Sequence, residues 1–190
     1  MTAPHLENTY VKLSLLDLSN YKHLQDIAKE KDLIFYSPSD ISTPEALKEY
    51  VQTAVDGYYN KTTIPFIIYD KTKQAYAGST RFGFINWKNK LLHIGWTWIG
   101  KEFHGSGLNK QMKFLMLQYA FEVLKFDKVE FRIDERNSRS RKAVEKIGAT
   151  LEGVLRKDTL MQDGFKRSTC CYGILKEEWA EIKRTVFEGF

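Results

Sequence analysis

The stretch Trp96-Thr97-Trp98-Ile99-Gly100-Lys101-Glu102-Phe103-His104-Gly105-Ser106-Gly107-Leu108-Asn109-Lys110 decides the fold. Aromatic and apolar residues up to Ile99 read as a strand, and the glycines as a turn. Leu108 then opens a helix whose Leu108, Met112, Leu115, Tyr119 and Ala120 recur at steps of three or four, with Lys110 and Lys113 expected off that face. The first turn of a helix has backbone N–H groups without intrahelical partners, and its macrodipole is positive, so it can receive a phosphate with little reorganisation. Gly105 and Gly107 would let a pyrophosphate approach the main chain, while Lys101, Lys110 and Lys113 would add mobile positive charge. A lone Gly-x-Gly also serves simply to shape a turn, so its neighbours must decide. The stretch lacks the Gly-Lys-Ser/Thr ending of a nucleoside-triphosphate loop, and Lys110 stands where a dinucleotide fingerprint has its third glycine.

Upstream, Pro65–Tyr69, Ala77–Phe84 and Leu91–Ile99 read as an antiparallel meander. Before them lie a strand at Tyr10–Leu16, an amphipathic helix at Leu18–Lys31, and a helix announced by Ser42-Thr43-Pro44-Glu45 that runs towards Val55 with Ser42 as its cap. Downstream, Val129, Phe131 and Ile133 alternate with charged residues as in a half-buried strand. A helix at Ser138–Ile147 stops at Gly148. Asp163-Gly164 is expected to turn a hairpin between Thr159–Gln162 and Phe165–Leu175, and the chain is helical from Glu177. The order predicts an α/β (α+β) sandwich in one domain over residues 1–190, with a mixed, mostly antiparallel central sheet flanked by helices.

The 190 residues are 43% hydrophobic, enough to bury one core, and no apolar run approaches the ~20 residues of a membrane span. Met1–Tyr10 has no apolar signal core, so a cytoplasmic location is expected. Cys170 and Cys171 are adjacent; on a strand they would face opposite ways, which argues against a disulfide, and no metal-ligand spacing is present. The net charge of +5 suits any polyanion, a phosphorylated carrier included. Trp96 and Trp98 share one strand face and read as lining the core or a groove; without a recognition motif or a basic arm, nucleic acid is a disfavoured partner.

From about Ile64 to Trp179 the sequence resembles the GCN5-related N-acetyltransferases (GNAT), especially the RimJ/RimL-like branch that acetylates protein N-termini and other primary amines. The resemblance rests on His104-Gly105-Ser106-Gly107-Leu108-Asn109, Leu117–Glu122, Asn137-Ser138-Arg139-Ser140, Glu145-Lys146-Ile147-Gly148-Ala149 and Leu151-Glu152-Gly153, in matching order and spacing. It implies a three-layer fold in which strand Leu91–Ile99 splays from the next strand to admit the pantetheine arm of acetyl-CoA, the acyl donor. The thioester would lie near Trp98 and Ile99, and residues His104 to Lys110 would grip the pyrophosphate. Asn137 and Ser140 would hydrogen-bond the arm or a water beside it. The cluster Arg136, Arg139, Arg141 and Lys142 would either meet the 3′-phosphate or form a solvated helix face. A strand N–H would stabilise the oxyanion as an amine attacks directly, a contribution worth ~3 kcal/mol.

The chain departs from the family pattern in places. His104 and Asn109 stand at the loop ends where the family has Gln or Arg and Gly or Ala. His93-Ile94-Gly95 replaces Glu-Ile-Gly, making His93 the candidate general base. Val144 occupies the position of the family's acid tyrosine, which leaves Tyr172 as the alternative acid. The expected activity is acetyl-CoA-dependent N-acetyl transfer to a peptide N-terminus or a small-molecule amine, without metal. The alternative is an acyl-CoA-binding regulator of the same fold. Acceptor specificity is expected around Ile34–Asn60 and Phe82–Trp87, where Asp32, Asp40 and Glu45 could attract a cationic amine. Pairing of two copies through a sheet edge or the C-terminal hairpin is left open.

Overall fold

Side-chain alternation sorts the strands onto one eight-stranded sheet in the computed structural model, which describes residues 4–190. The strands are β1 (Leu6–Glu7), β2 (Val11–Leu15), β3 (Ile64–Asp70), β4 (Ala75–Asn86), β5 (Leu91–Ile99), β6 (Lys128–Asp134), β7 (Thr150–Leu160) and β8 (Lys166–Leu175). Their order is β1-β2-β3-β4-β5-β6-β8-β7, and every neighbouring pair is antiparallel except β5 and β6. One face carries α1 (Gln25–Ala28) and α2 (Pro44–Tyr59), with Leu24, Leu47, Val51, Ile67 and Trp98 buried between. The other carries α3 (Leu108–Gln118), α4 (Ser138–Glu145) and α5 (Lys176–Thr185), packed on Phe66, Phe82, Phe121 and Phe131. This is the expected three-layer α/β arrangement.

Several boundaries differ from the sequence reading. The helix expected at Leu18–Lys31 is a 3-10 turn (Tyr21–Leu24) followed by the single turn of α1, because only Tyr21, Leu24 and Ala28 find burial. The cap of α2 is Thr43 and not Ser42: its hydroxyl accepts the Ala46 N–H at 3.1 Å, with Pro44 next. α2 continues past Val55 to Tyr59 and closes when the Thr62 and Thr63 N–H groups bond the Gly57 carbonyl. β7 is far longer than the expected hairpin arm; it is exposed along nearly its whole length, so it has no alternating apolar pattern to read. Cys170 and Cys171 are both free thiols on β8, one buried and one half-buried.

Two irregularities of β5 open the site. Ser79 pairs with Trp98 and Arg81 with Gly95, so Trp96 and Thr97 bulge opposite Thr80 alone, and Trp96 takes a left-handed φ of 48°. A bulge bends its strand and increases its twist. On the other edge the ladder to β6 ends after Leu91↔Lys128, Leu92↔Val129 and His93↔Glu130. From Ile94 to Ile99, β5 therefore has no strand partner on that side, and the sheet splits into a wedge.

Candidate active site

A parallel strand pair sends both of its following segments to one end of the sheet. α3 follows β5 and α4 follows β6, so two helix N-termini stand at the open end of the wedge. At the first of them Gly105 and Gly107 have φ of 76° and 84°, conformations that favour glycine, and a Cβ built on either would meet nothing within 4 Å. The Leu108 N–H bonds Ser106 Oγ at 3.3 Å, and that hydroxyl donates to the Phe103 carbonyl at 2.7 Å. The N–H groups of Gly105, Ser106, Gly107 and Asn109 have no hydrogen-bond partner among the described residues. The turn is thus held rigid while an open row of donors stays free.

His104 braces this loop against α4. Its Nε2 lies 2.9 Å from the Ile99 carbonyl and its Nδ1 3.4 Å from Arg139 Nη1. A carbonyl only accepts and a guanidinium only donates, so both contacts are satisfied by the neutral ring with the proton on Nε2. The Lys101 N–H is fixed by the Glu30 carboxylate at 2.9 Å, tying the turn to the segment after α1. Lys110 leans on the C-terminal aromatics, 4.7 Å from the Phe190 ring centre.

Lys113 corrects the sequence reading: it is 5% exposed, not a mobile surface charge. Its Nζ donates to Thr97 Oγ1 at 3.0 Å and lies 5.9 Å from the Phe131 ring centre, between the diverging strands on the α3 side. Burial pushes its pKa down from 10.5 to about 7. The clue in the sequence was the run Phe114-Leu115-Met116-Leu117 directly after it, which is apolar all round the helix, as all four are buried.

Of the other expected site residues, Trp98 is buried and donates from Nε1 to the Tyr50 hydroxyl at 3.3 Å, and Ile99 gives its carbonyl to His104. Asn137 caps α4, its Oδ1 accepting the Ser140 N–H at 3.0 Å, which puts both residues at the β6 side of the wedge mouth. His93 is sealed beside Phe84 and Trp96; burial first, then the charges of Arg132, Lys113 and Arg167, push its pKa down to about 3, so the ring is neutral at physiological pH. The Tyr172 hydroxyl lies away from the loop in a chain of its own, accepting from Arg141 Nε at 3.0 Å and donating to Glu145 at 2.7 Å. The arginine cluster is divided. Arg139 reaches the loop, whereas Arg136 pairs with Asp134 at 2.7 Å and stacks 4.0 Å over the Phe165 ring, on the wall of a separate cavity of about 390 Å³. That cavity lies between residues 28–42 and the β7–β8 turn and includes Asp32 and Asp40, but not Glu45.

A split parallel pair with free amides at the following helix places the chain among the three-layer α/β proteins. A model of the acetyltransferase (GNAT) domain matches residues 11–150, and the chain belongs to this family, the GCN5-related N-acetyltransferases. It is 36% identical over 91 residues to the Bacillus subtilis (strain 168) protein named "Putative ribosomal N-acetyltransferase YdaF"; the match covers 48% of this chain and about half (49%) of that protein. The solved GCN5-related N-acetyltransferase from Brucella melitensis superposes with a TM-score of 0.88 over 97% of this chain and 84% of its own, at 23% identity. The Microcin C7 self immunity acetyltransferase MccE, solved in complex with acetyl-CoA and AMP, gives 0.78 over 88% and 93%, at 20% identity. At those identities the two structures show a shared fold.

Proposed function

We propose that this chain transfers an acetyl group from acetyl-CoA to a primary amine by direct attack on the thioester. The observation that carries the proposal is the wedge beside β5, which ends at four free backbone N–H groups, those of Gly105, Ser106, Gly107 and Asn109. These groups would hold the pyrophosphate, with the loop from His104 to Lys110 and the α3 dipole behind them. The pantetheine arm would run between β5 and β6, past Asn137 and Ser140, and bring the thioester beside Trp98 and Ile99.

The amine lone pair attacks the acetyl carbonyl, the C–S bond breaks, and the departing thiolate takes up a proton. Lys113 suits that last step, because its depressed pKa of about 7 is matched to donation near neutrality and its ammonium faces into the wedge. His93, with a pKa of about 3, is too weak a base to hold the amine's proton. Proton balance closes, with one leaving the nitrogen to water and one reaching sulfur.

Calorimetry with acetyl-CoA, followed by thiol release in the presence of N-terminal peptides and small amines, tests the reading. Acetyl-CoA binding with acceptor-dependent thiol release is expected. Binding without release across the panel would favour an acyl-CoA-binding regulator, and no binding would remove the proposal.

A further inference from the structure

Arg81 is 4% exposed, and it enters none of the ion pairs among the described residues. Its guanidinium lies 4.4 Å from the Tyr50 ring centre and 5.0 Å from that of Trp96, and its Nε and Nη2 are sealed from solvent with no hydrogen-bond partner. Desolvating a guanidinium costs more than two aromatic contacts return, so a buried arginine is ordinarily paired. Even Arg136, exposed in the turn after β6, has its fork closed by Asp134.

The gap is not isolated. Ser79 Oγ and His93 Nδ1 are also sealed without partners, and the pairings Ser79↔Trp98, Arg81↔Gly95 and Gly83↔His93 set them in one row on the α2 face of β4 and β5. Trp96 lies between: its ring rests on Gly83, where a Cβ would come within 2.3 Å, and it meets His93 edge-on at 5.5 Å. The row runs one strand in from the wedge, level with the bulge. Apart from burial, the influences that lower the His93 pKa are all positive charges. An arginine has donors and no acceptors, so the group that completes this row must accept N–H bonds, and an anion that takes two of them suits it best because it also offsets the buried charge.

We infer that Arg81, beside the bulge of β5, forms an anion subsite for the acceptor, and that the acceptor is an amine carrying a carboxylate or phosphate close to its nitrogen. This rests on the acetyl-transfer reading and names its substrate class. It reverses the expectation that carboxylates draw in a cationic amine. The positive surroundings disfavour an ammonium and so favour the free amine that attacks, while the acceptor's own anion supplies the attraction.

The test measures acetyl transfer to matched acceptors: β-alanine against β-alaninamide, O-phosphoethanolamine against ethanolamine, and C-terminally amidated peptides beginning Ala-Asp against Ala-Asn. The anionic member of at least one pair is expected to have a KM lower by about 10- to 100-fold. Arg81→Met should abolish that preference, and Arg81→Lys, which keeps the charge but loses the fork, should restore it in part. The pair that responds tells carboxylate from phosphate. Equal KM values within every pair, or a preference that survives in Arg81→Met, overturn the inference while leaving acetyl transfer intact. If no acceptor turns over, the same compounds are titrated by calorimetry into the protein with acetyl-CoA present; no anion-dependent heat overturns the subsite, and no heat with acetyl-CoA overturns the reading beneath it.

Discussion

Replacing Lys113 with Met removes a lysine that the fold buries beside the wedge. Unfolded, this side chain has a pKa near 10.5; folded, burial holds it at about 7. At ~1.4 kcal/mol for each pH unit between the two values, the fold bears about 5 kcal/mol against the charged form. With the group 5% exposed, solvent screening offers little relief. The sign follows from proton counts. Below pH 7 both states carry the proton and the full penalty stands. Between about 7 and 10.5 the unfolded chain binds more protons than the folded one, so wild-type stability rises with pH. Met has no such dependence. Loss of the bond to Thr97 adds an offset that does not vary with pH, since Thr97 Oγ1 keeps its contact with Thr80 at 2.7 Å. Urea unfolding followed by Trp fluorescence at intervals from pH 6 to 10 gives the difference between the two proteins. Met should be the more stable at pH 6, with its advantage shrinking by several kcal/mol towards pH 10. In acetyl transfer the same variant should lower kcat by about 100-fold or more and lose the rate limb near pH 7. A stability difference that stays level across this range would refute the burial argument, and an unchanged kcat the proton-donor role.

Two further outcomes follow from the loop and from His93. Gly107→Ala places a methyl at φ 84° with no protein atom within 4 Å, so it should cost about 1–2 kcal/mol of backbone strain and lower the Tm by a few degrees. Its acetyl-CoA affinity, measured by calorimetry, should fall by at least about tenfold, because the methyl takes the space above the free amides; full affinity in the folded variant would contradict the cradle. His93, held at a pKa of about 3, should show no protonation by NMR above pH 5, and its contribution to stability should decline as pH falls from about 6.5 towards 3, where the unfolded ring binds the proton that the folded one refuses. An imidazole midpoint between 6 and 7 would show that the ring is far more open than its packing indicates.

What the sequence determined by itself is local. The glycine turn at 105 and 107, the apolar stripe of α3, the alternation of Val129, Phe131 and Ile133, and the opposed cysteines all follow from conformational preference and periodicity within a few residues. The loop was therefore legible, and with its neighbours it was enough to indicate the family. Only the tertiary structure decided the splay of β5 from β6, the length of β7 and the fate of the ionisable groups. Arg81 occupies a stretch where nothing local distinguishes a solvated charge from a sealed one, and beside Lys113 the only local hint is the apolar run that follows it. What seals Arg81 is Tyr50 on α2, more than thirty residues earlier, and what seals Lys113 includes Phe131 on a strand beyond the helix. Burial and pKa depend on which distant segments cover a side chain, and that is settled only when the layers of the sandwich meet.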